Sequence, residues 1–366
     1  MRKVDRLMKK NKTELRFFLG ANAASGFVSH FEELYDPEGG WQCYILKGGP
    51  GTGKSSIMKR IVELTPALEH ELIHCSSDPE SLDGVIFPEK KICIADGTAP
   101  HVMEPHYPGA VEQIVNLGEF WDKRGLAENT EEIIRHTKAT AVFHQRSGRL
   151  RDAAGVHIAD NSRHCVGCVN HEKLRKYTRG VAAREFKQAG GEGKERLRFL
   201  TGITPRGILG FWENVERLCE RVYVIEDEFG VVSRQFMAEI RSACLEKKMD
   251  MYTCLCPMNV EDKVDHILIP SLSLAFLTKN SWHNIPFKGT KTIHARRFTD
   301  EEILRRNRQR FGFNRKASRE LMKEAVALLA EAKESHDRLE SLYIPHMDFE
   351  GIGKLTERLA KEILEA

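Results

Sequence analysis

The sequence predicts an α/β protein in which one arrangement of strands and helices occurs twice in tandem. Apolar runs of strand length alternate with helical segments, which is the pattern of a buried parallel sheet. Short sequence matches recur in the same order about halfway along the chain, which indicates an internal repeat. Each repeat ends in long segments with helical periodicity. We therefore expect two parallel-sheet domains, each with an appended helical hairpin.

Length and composition are those of an ordinary globular protein with room for two domains. The chain has 366 residues, of which 41% are hydrophobic and 30% charged, so fibrous, low-complexity and fully disordered classes are excluded. Its formal net charge of +3 gives no signal for nucleic-acid binding. No run approaches the roughly 18 apolar residues that span a bilayer, and the nine cysteines are dispersed as in proteins with reduced thiols. These features predict a cytoplasmic protein that does not enter a membrane.

The internal repeat sets the predicted domain boundaries. Its anchors keep their order along the chain: Gly26-Phe27 with Gly207-Ile208, Ile86-Phe87-Pro88 with Leu268-Ile269-Pro270, and Glu131-Glu132-Ile133 with Glu301-Glu302-Ile303. We expect four segments: a basic N-terminal segment over 1–16, a first domain over 17–187, a Gly-rich linker over 188–198 and a second domain over 199–366.

Each copy is predicted to run through its elements in the same order: a short amphipathic helix, a strand, a second helix, two further strands and a helical hairpin. In the first copy these cover 26–34, 42–46, 54–64, 71–75 and 91–95. The corresponding elements of the second copy cover 207–219, 222–225, 233–246, 251–256 and 271–277. The final hairpin is expected to consist of helices over 319–342 and 348–366.

The first copy contains a complete phosphate-binding loop motif between a predicted strand and a predicted helix. The pattern G-x-x-x-x-G-K-[ST] is matched by Gly48, Gly49, Pro50, Gly51, Thr52, Gly53, Lys54 and Ser55, with Ser56 next on the helix. Glycines let successive backbone N–H groups turn inward, and the helix N-terminus adds a positive dipole end. Lys54 would reach the β- and γ-phosphates, and Ser55 would offer its hydroxyl to Mg²⁺. The motif predicts a nucleotide site with ATP and Mg²⁺ as cofactors.

A magnesium site of this kind needs a second, acidic anchor, and Asp96 is the main candidate because it ends the apolar run 92–95. We expect Lys54 and Asp96 to carry the chemistry and Ser55 with Asp96 to hold the metal. Two acids after the second strand are alternatives to Asp96: Asp78 and Asp83. The irregular segment 96–109 offers candidate contacts for substrate or water: His101, Glu104 and His106.

The second copy has lost this motif. Aligning the strands puts Asp227 on Gly48, Val232 on Gly53, Ser233 on Lys54 and Arg234 on Ser55. The cation, two loop glycines and the metal-binding hydroxyl are therefore missing. Three consecutive carboxylates stand where phosphates would approach, which adds like-charge repulsion: Glu226, Asp227 and Glu228. We expect the second copy not to bind a nucleotide in the usual way.

A second candidate site is the cysteine-containing segment 164–171. Cys165 and Cys168 form a C-x-x-C pair flanked by His164 and His171, and thiolate and imidazole ligands at this spacing suit zinc or a redox pair. A structural zinc site normally takes its other ligands from a distant segment, and the sequence has no second C-x-x-C. Free thiols in a turn between helices are therefore the simpler interpretation.

Several segments together resemble a family of bacterial P-loop ATPases built as two related nucleotide-binding-like halves: Phe18-Leu19-Gly20, Tyr44 to Ser56, His74 to Pro79 and Asp96 to His101. The loop G-G-P-G-T-G-K-S is also similar to that of AAA-type ATPases. The family resemblance implies tandem duplicated P-loop NTPase-like domains, with a degenerate loop in the second one. The family's substrate is not established, so the resemblance implies nucleotide binding without naming a pathway.

The leading functional hypothesis is an ATP-binding P-loop NTPase with Mg-dependent ATP hydrolysis coupled to a conformational change. ATP is favoured over GTP because no N-K-x-D segment is present. One alternative is a small-molecule or nucleotide kinase, for which the segment 96–109 would serve as a lid. The other is a non-enzymatic nucleotide-sensing scaffold that contacts a protein partner through its helical hairpins or its degenerate second half.

Overall fold

The computed structural model describes residues 14–187 and 190–366. Along the described chain the strands are β1 (Glu14–Phe17), β2 (Gly20–Ala23), β3 (Gly26–Ser29), β4 (Gln42–Lys47), β5 (His70–His74), β6 (Leu82–Phe87), β7 (Ile92–Asp96), β8 (Glu112–Asn116), β9 (Glu195–Arg198), β10 (Thr201–Thr204), β11 (Gly207–Gly210), β12 (Arg221–Glu226), β13 (Met251–Cys256), β14 (Asn259–Ile269), β15 (Leu274–Lys279) and β16 (Lys291–His294). The α-helices are α1 (Lys54–Leu64), α2 (Lys123–Glu128), α3 (Thr130–Val166), α4 (His171–Glu185), α5 (Glu213–Leu218), α6 (Val231–Glu246), α7 (Glu301–Arg306), α8 (Arg308–Tyr343) and α9 (Phe349–Glu365).

The protein is an α/β protein whose chain divides into two compact units. Unit 1 contains the described residues of 14–20, 29–145 and 327–366, and unit 2 contains those of 21–28 and 146–326. The long helices α3 and α8 each contribute one part to unit 1 and the other part to unit 2. The compact units therefore differ from the predicted division into 17–187 and 199–366.

Unit 1 is built on a mixed six-stranded sheet with the order β1-β5-β6-β7-β4-β8. β4 is parallel to both β7 and β8, and β1 is parallel to β5. The strands expected at 42–46, 71–75 and 91–95 are β4, β5 and β7. The expectation of a purely parallel sheet is wrong, because β6 lies antiparallel between β5 and β7. The connection from β5 to β6 is short, and a short connection between neighbouring strands produces an antiparallel pair.

The sheet of unit 2 has the same topology, with the order β9-β13-β14-β15-β12-β16. β12 is parallel to β15 and β16, β9 is parallel to β13, and β14 is antiparallel to its neighbours β13 and β15. Along the chain, a small hairpin lies between the first and second strands of each sheet, formed by β2-β3 in one case and by β10-β11 in the other. The two series of strands thus follow each other in the same spatial order.

The helices expected at 26–34 and 207–219 both begin as strands. Gly26 and Gly207 have φ angles of +118° and +97°, which a right-handed helix does not accommodate. They start β3 and β11, after which come a 3₁₀ helix (Phe31–Leu34) and α5. The segments predicted as an N-terminal extension and a linker also contribute edge strands, β1 and β9. Residues 1–13 of the predicted N-terminal segment and 188–189 of the predicted linker lie outside the described residues, and 190–194 are irregular.

Each unit contains a helix that packs on a second helix distant from it in sequence. In unit 1, α9 lies on α1 and buries an apolar stripe: Ile352, Leu355, Leu359, Ala360 and Ile363. In unit 2, α4 lies on α6 and buries Leu174 and Val181. Truncating a buried leucine such as Leu355 to alanine costs about 2–5 kcal/mol, so these helices are part of each core. None of the helices in the described ranges has the length and apolarity needed to cross a bilayer.

Candidate functional site

The loop motif of unit 1 connects β4 to α1, as its sequence context predicts. Gly51 and Gly53 have φ angles of +67° and +84°, in the left-handed region that favours glycine, and Gly53 is the N-cap of α1. Thr52 is buried and donates its hydroxyl to the Gly49 carbonyl over 2.8 Å, which fixes the loop from within. The backbone N–H groups at the start of α1 and the positive end of its dipole form an anion-binding arrangement.

Lys54 folds back over this loop. Its Nζ donates to the carbonyl oxygens of Gly48 and Gly49 over 3.0 and 2.9 Å, and it lies 3.6 Å from Asp96 Oδ2. The side chains of Lys54 and Asp96 are only 12% and 14% exposed. The structure therefore brings together the two residues that the sequence assigns to catalysis, and it holds the ammonium at the mouth of the loop.

Asp96 reaches this position because β4 and β7 are adjacent parallel strands, with Leu46 paired to Asp96 in register. Its Oδ1 accepts hydrogen bonds from Thr98 N at 2.9 Å and Thr98 Oγ1 at 2.6 Å. Ser55 stands one residue beyond Lys54 on α1, and its Oγ accepts a hydrogen bond from Leu82 N over 2.9 Å. Carboxylate and hydroxyl oxygens are hard ligands of the type that Mg²⁺ prefers, so Ser55 and Asp96 fit this ion. Ser56, the next residue, is exposed.

The alternative acids have other partners. Asp83 is buried and its Oδ2 lies 3.4 Å from His101 Nε2. Burial opposes a charge on His101, but the Asp83 carboxylate outweighs it and holds the pKa of His101 above its ordinary value. Asp78 accepts a hydrogen bond from Ser81 Oγ over 2.8 Å. The other two candidates from the segment 96–109 do not join His101. Glu104 pairs with Lys47 Nζ at 2.7 Å, and His106 is exposed.

The end of α8 covers the loop of unit 1, a contact that sequence analysis missed. Gly51 N donates to Glu340 Oε1 over 3.4 Å, and a Cβ atom on Gly51 would lie 2.8 Å from the Glu340 carbonyl oxygen. A Cβ on Gly49 would lie 3.2 Å from the ring of Tyr343. A hydrogen bond from His336 keeps the pKa of Glu340 below its usual value, so the group beside the loop is an anion. Because 289 residues separate Gly51 from Glu340, no local pattern announces this contact.

The corresponding turn of unit 2, residues 227–230, is two residues shorter than the loop 48–53 and supplies its own anion. Gly230 has a φ angle of +74° and is the N-cap of α6, as Gly53 is of α1. The structure therefore pairs Gly230 with Gly53 and Val231 with Lys54, and the predicted alignment of Val232 with Gly53 and Ser233 with Lys54 is wrong because the turn is shorter. The buried Asp227 carboxylate accepts hydrogen bonds from Ser233 N at 2.8 Å and Phe229 N at 3.2 Å. Ser233 N lies in the first turn of α6 and Phe229 N in the turn before it, where N–H groups could otherwise face a phosphate. An internal carboxylate thus occupies the donors at the turn where the sequence lacks a lysine.

The cysteine segment does not gather a set of metal ligands. Cys165 and Cys168 are buried at and just after the end of α3, and burial raises the pKa of Cys165 to about 12. Within the described residues, the grouping of three metal-ligating side chains is elsewhere in unit 2, where atoms of Cys256, Asp265 and His283 lie within 4.8 Å of one another. A positive charge already stands there, since Lys263 Nζ lies 2.6 Å from Asp265 Oδ1.

Comparison of the chain with family models, with curated proteins and with solved structures gives no match.

Proposed function

We propose that the protein is an ATP-binding P-loop NTPase of the two-halved bacterial type that its sequence resembles, and that it hydrolyses ATP in a Mg-dependent reaction. One observation carries the proposal: Lys54, at the start of a helix that follows a glycine-rich turn, lies 3.6 Å from Asp96 at the end of the adjacent parallel strand. This combination of a cradle of N–H groups, a lysine ammonium and an acidic strand end suits a triphosphate with its metal.

The residues of unit 1 have distinct roles in this reaction. The loop 48–53 and the first N–H groups of α1 bind the phosphates. Lys54 exchanges its bonds to the Gly48 and Gly49 carbonyls for bonds to the β- and γ-phosphate oxygens, where its charge stabilises the transition state. Ser55 and Asp96 would hold Mg²⁺, which when bound neutralises charge on the phosphates. The Glu340 carboxylate must leave Gly51 N as the nucleotide enters, because the carboxylate and the phosphates are both anions and repel each other. This displacement couples binding to a movement of the end of α8.

We also propose that the two series of strands are duplicated P-loop NTPase-like domains. Their identical strand orders support this, as do the positive-φ N-cap glycines that start α1 and α6. A buried Asp–His pair recurs with the same spacing, Asp83 with His101 and Asp265 with His283 at 2.8 Å. In this account the second domain has kept the fold and lost the nucleotide.

Turnover of ATP by the full chain tests the reaction. Phosphate release is measured with Mg²⁺, alone and with a panel of phosphate acceptors, for the wild type, Lys54→Ala and the control Lys59→Ala. Lys59 lies on the same helix and is exposed. We expect acceptor-independent phosphate release by the wild type and Lys59→Ala, and its loss in Lys54→Ala. ATP loss only with an acceptor would replace hydrolysis by a kinase reaction, and tight binding without turnover would replace it by nucleotide sensing.

A further inference from the structure

Unit 2 contains a large cavity that the proposed reaction does not use. It has a volume of about 1020 Å³ and lies at the carboxyl ends of β12, β15 and β16, where Glu226, Lys279 and His294 line it. α7 and the first turns of α8 contribute the opposite wall. Open α/β sheets bind ligands outside the carboxyl ends of their strands, and this volume is that of a small-molecule site.

The three consecutive carboxylates at the base of this cavity are matched by partners of their own. Glu226 lies 3.1 Å from Lys279 Nζ and 2.8 Å from His294 Nδ1. Asp227 accepts from two backbone N–H groups of its turn, and Glu228 accepts from Ser281 N over 3.1 Å. Lys279 therefore offsets the charge of Glu226, while Asp227 and Glu228 remain anions held by backbone N–H groups.

The arginines that line the cavity have no such partners. Among the residues the structure describes, no hydrogen bond or ion pair is made by the guanidinium groups of four of them: Arg296, Arg305, Arg308 and Arg315. Glu301, which also lines the cavity, offsets one of these charges. The neighbouring arginines outside the cavity are paired, Arg306 with Glu302 and Arg310 with Asp160. The cavity lining thus carries four guanidinium groups against three carboxylates that have no lysine partner, Asp227, Glu228 and Glu301, which leaves a positive excess on the side of α7 and α8.

An apolar surface adjoins these arginines. The rings of Phe229 and Phe311 pack with their centroids 4.5 Å apart, and both residues line the cavity together with Trp282. Aromatic faces accept a planar ring or a hydrocarbon portion of a ligand. Arginine, rather than lysine, suits a phosphate group because its planar fork donates two parallel hydrogen bonds to phosphate oxygens.

We propose that this cavity binds a phosphorylated small molecule, with its phosphate held by the four arginines and its organic part against Phe229 and Trp282. A nucleoside triphosphate seated on the turn around Gly230 is not the ligand, because Asp227 occupies the N–H groups there. The site belongs to unit 2 alone and does not depend on the ATPase reaction proposed for unit 1.

Pyrophosphate is the probe, because it carries the recognised charge without an organic part. Isothermal titration is carried out on the full chain carrying Lys54→Ala, so that the loop of unit 1 does not contribute. The test variant adds Arg305→Gln with Arg308→Gln, and the matched control adds Arg306→Gln with Lys316→Gln, which removes the same charge from positions outside the cavity. All of these residues are exposed, so thermal unfolding should be nearly unchanged; Arg315→Gln alone is a milder variant.

We expect one pyrophosphate per chain in the Lys54→Ala background and in the control. Loss of two charge-assisted contacts should weaken binding about tenfold or more in the test variant. Equal affinity in the test variant and the control, or no binding in the Lys54→Ala background, would overturn the proposal. Sulfate that binds as tightly as pyrophosphate would also overturn it, because that would reflect general attraction of anions.

Discussion

The most informative single substitution is Asp96→Asn, because it removes a charge and keeps the shape of the side chain. An asparagine at this position can still accept the two hydrogen bonds from Thr98 through its amide oxygen. It cannot ligate Mg²⁺ with a negative charge, and it leaves Lys54, now 3.6 Å from Asp96, without its carboxylate. The substitution therefore separates the electrostatic role of Asp96 from its structural role.

Two magnitudes decide what this variant does. Transition-state electrostatics of this kind contribute a few kcal/mol, so we expect kcat to fall about 100-fold, which corresponds to about 2.7 kcal/mol. Lys54 keeps its two carbonyl acceptors, so we expect the free energy of unfolding to fall by only about 1 kcal/mol. Affinity for ATP should change less than about threefold, because the loop N–H groups and Lys54 remain.

Steady-state phosphate release and equilibrium titration with a non-hydrolysable ATP analogue measure the two effects separately. Asp78→Asn is the matched comparison, since Asp78 is the alternative acid whose described contacts are with Ser81 and Lys333. We expect it to keep wild-type kcat within about threefold. Wild-type kcat in Asp96→Asn would refute the reasoning and would remove Asp96 from the mechanism.

Three further predictions follow from individual contacts. Glu340→Gln removes the anion beside Gly51 N and should tighten Mg-ATP binding about fivefold, or about 1 kcal/mol; unchanged or weaker affinity by titration would show that Glu340 does not compete with the nucleotide. Val231 follows its N-cap glycine as Lys54 does, and adding Val231→Lys to Lys54→Ala should not create a nucleotide site, because Asp227 retains its N–H donors; a higher nucleotide stoichiometry than that of Lys54→Ala alone would contradict this. A hydrogen bond from His70 lowers the pKa of Glu14 to about 2 from an unfolded value of 4.5, so its stabilisation is complete above pH 4.5 and is lost as the pH falls toward 2. Urea midpoints at pH 6 and pH 3 should therefore differ less for Glu14→Gln than for the wild type, and equal differences would argue against this role.

Local signals in the sequence predict those elements whose limits are set by local chemistry. The helix 54–64 and the strand 251–256 have the predicted bounds, since the first starts at the glycine loop and the second is a continuous apolar run. The contact between Lys54 and Asp96 also follows from sequence, because parallel neighbouring strands end at the same edge of a sheet.

Features that depend on distant parts of the chain are not contained in local patterns. β6 is absent from the predicted strands, and its antiparallel direction follows from its short connection to β5 and not from a pattern within its own residues. The covering of Gly51 by Glu340 and the packing of α9 on α1 join segments that lie far apart in sequence. The acidic run of the second copy predicts the loss of nucleotide binding, but the direct capture of two N–H groups by Asp227 depends on the fold of its turn.

The number of Mg-ATP molecules bound per chain is the most direct test of the central claim, that the intact loop of unit 1 is the nucleotide site and that the turn of unit 2 is not. Isothermal titration with Mg²⁺ and a non-hydrolysable ATP analogue gives this number. The full chain carries Arg305→Gln with Arg308→Gln, so that the cavity of unit 2 does not contribute. We expect one nucleotide per chain in this background and none when Lys54→Ala is added at the same concentrations. Two nucleotides per chain, or one retained after Lys54→Ala is added, would contradict the claim.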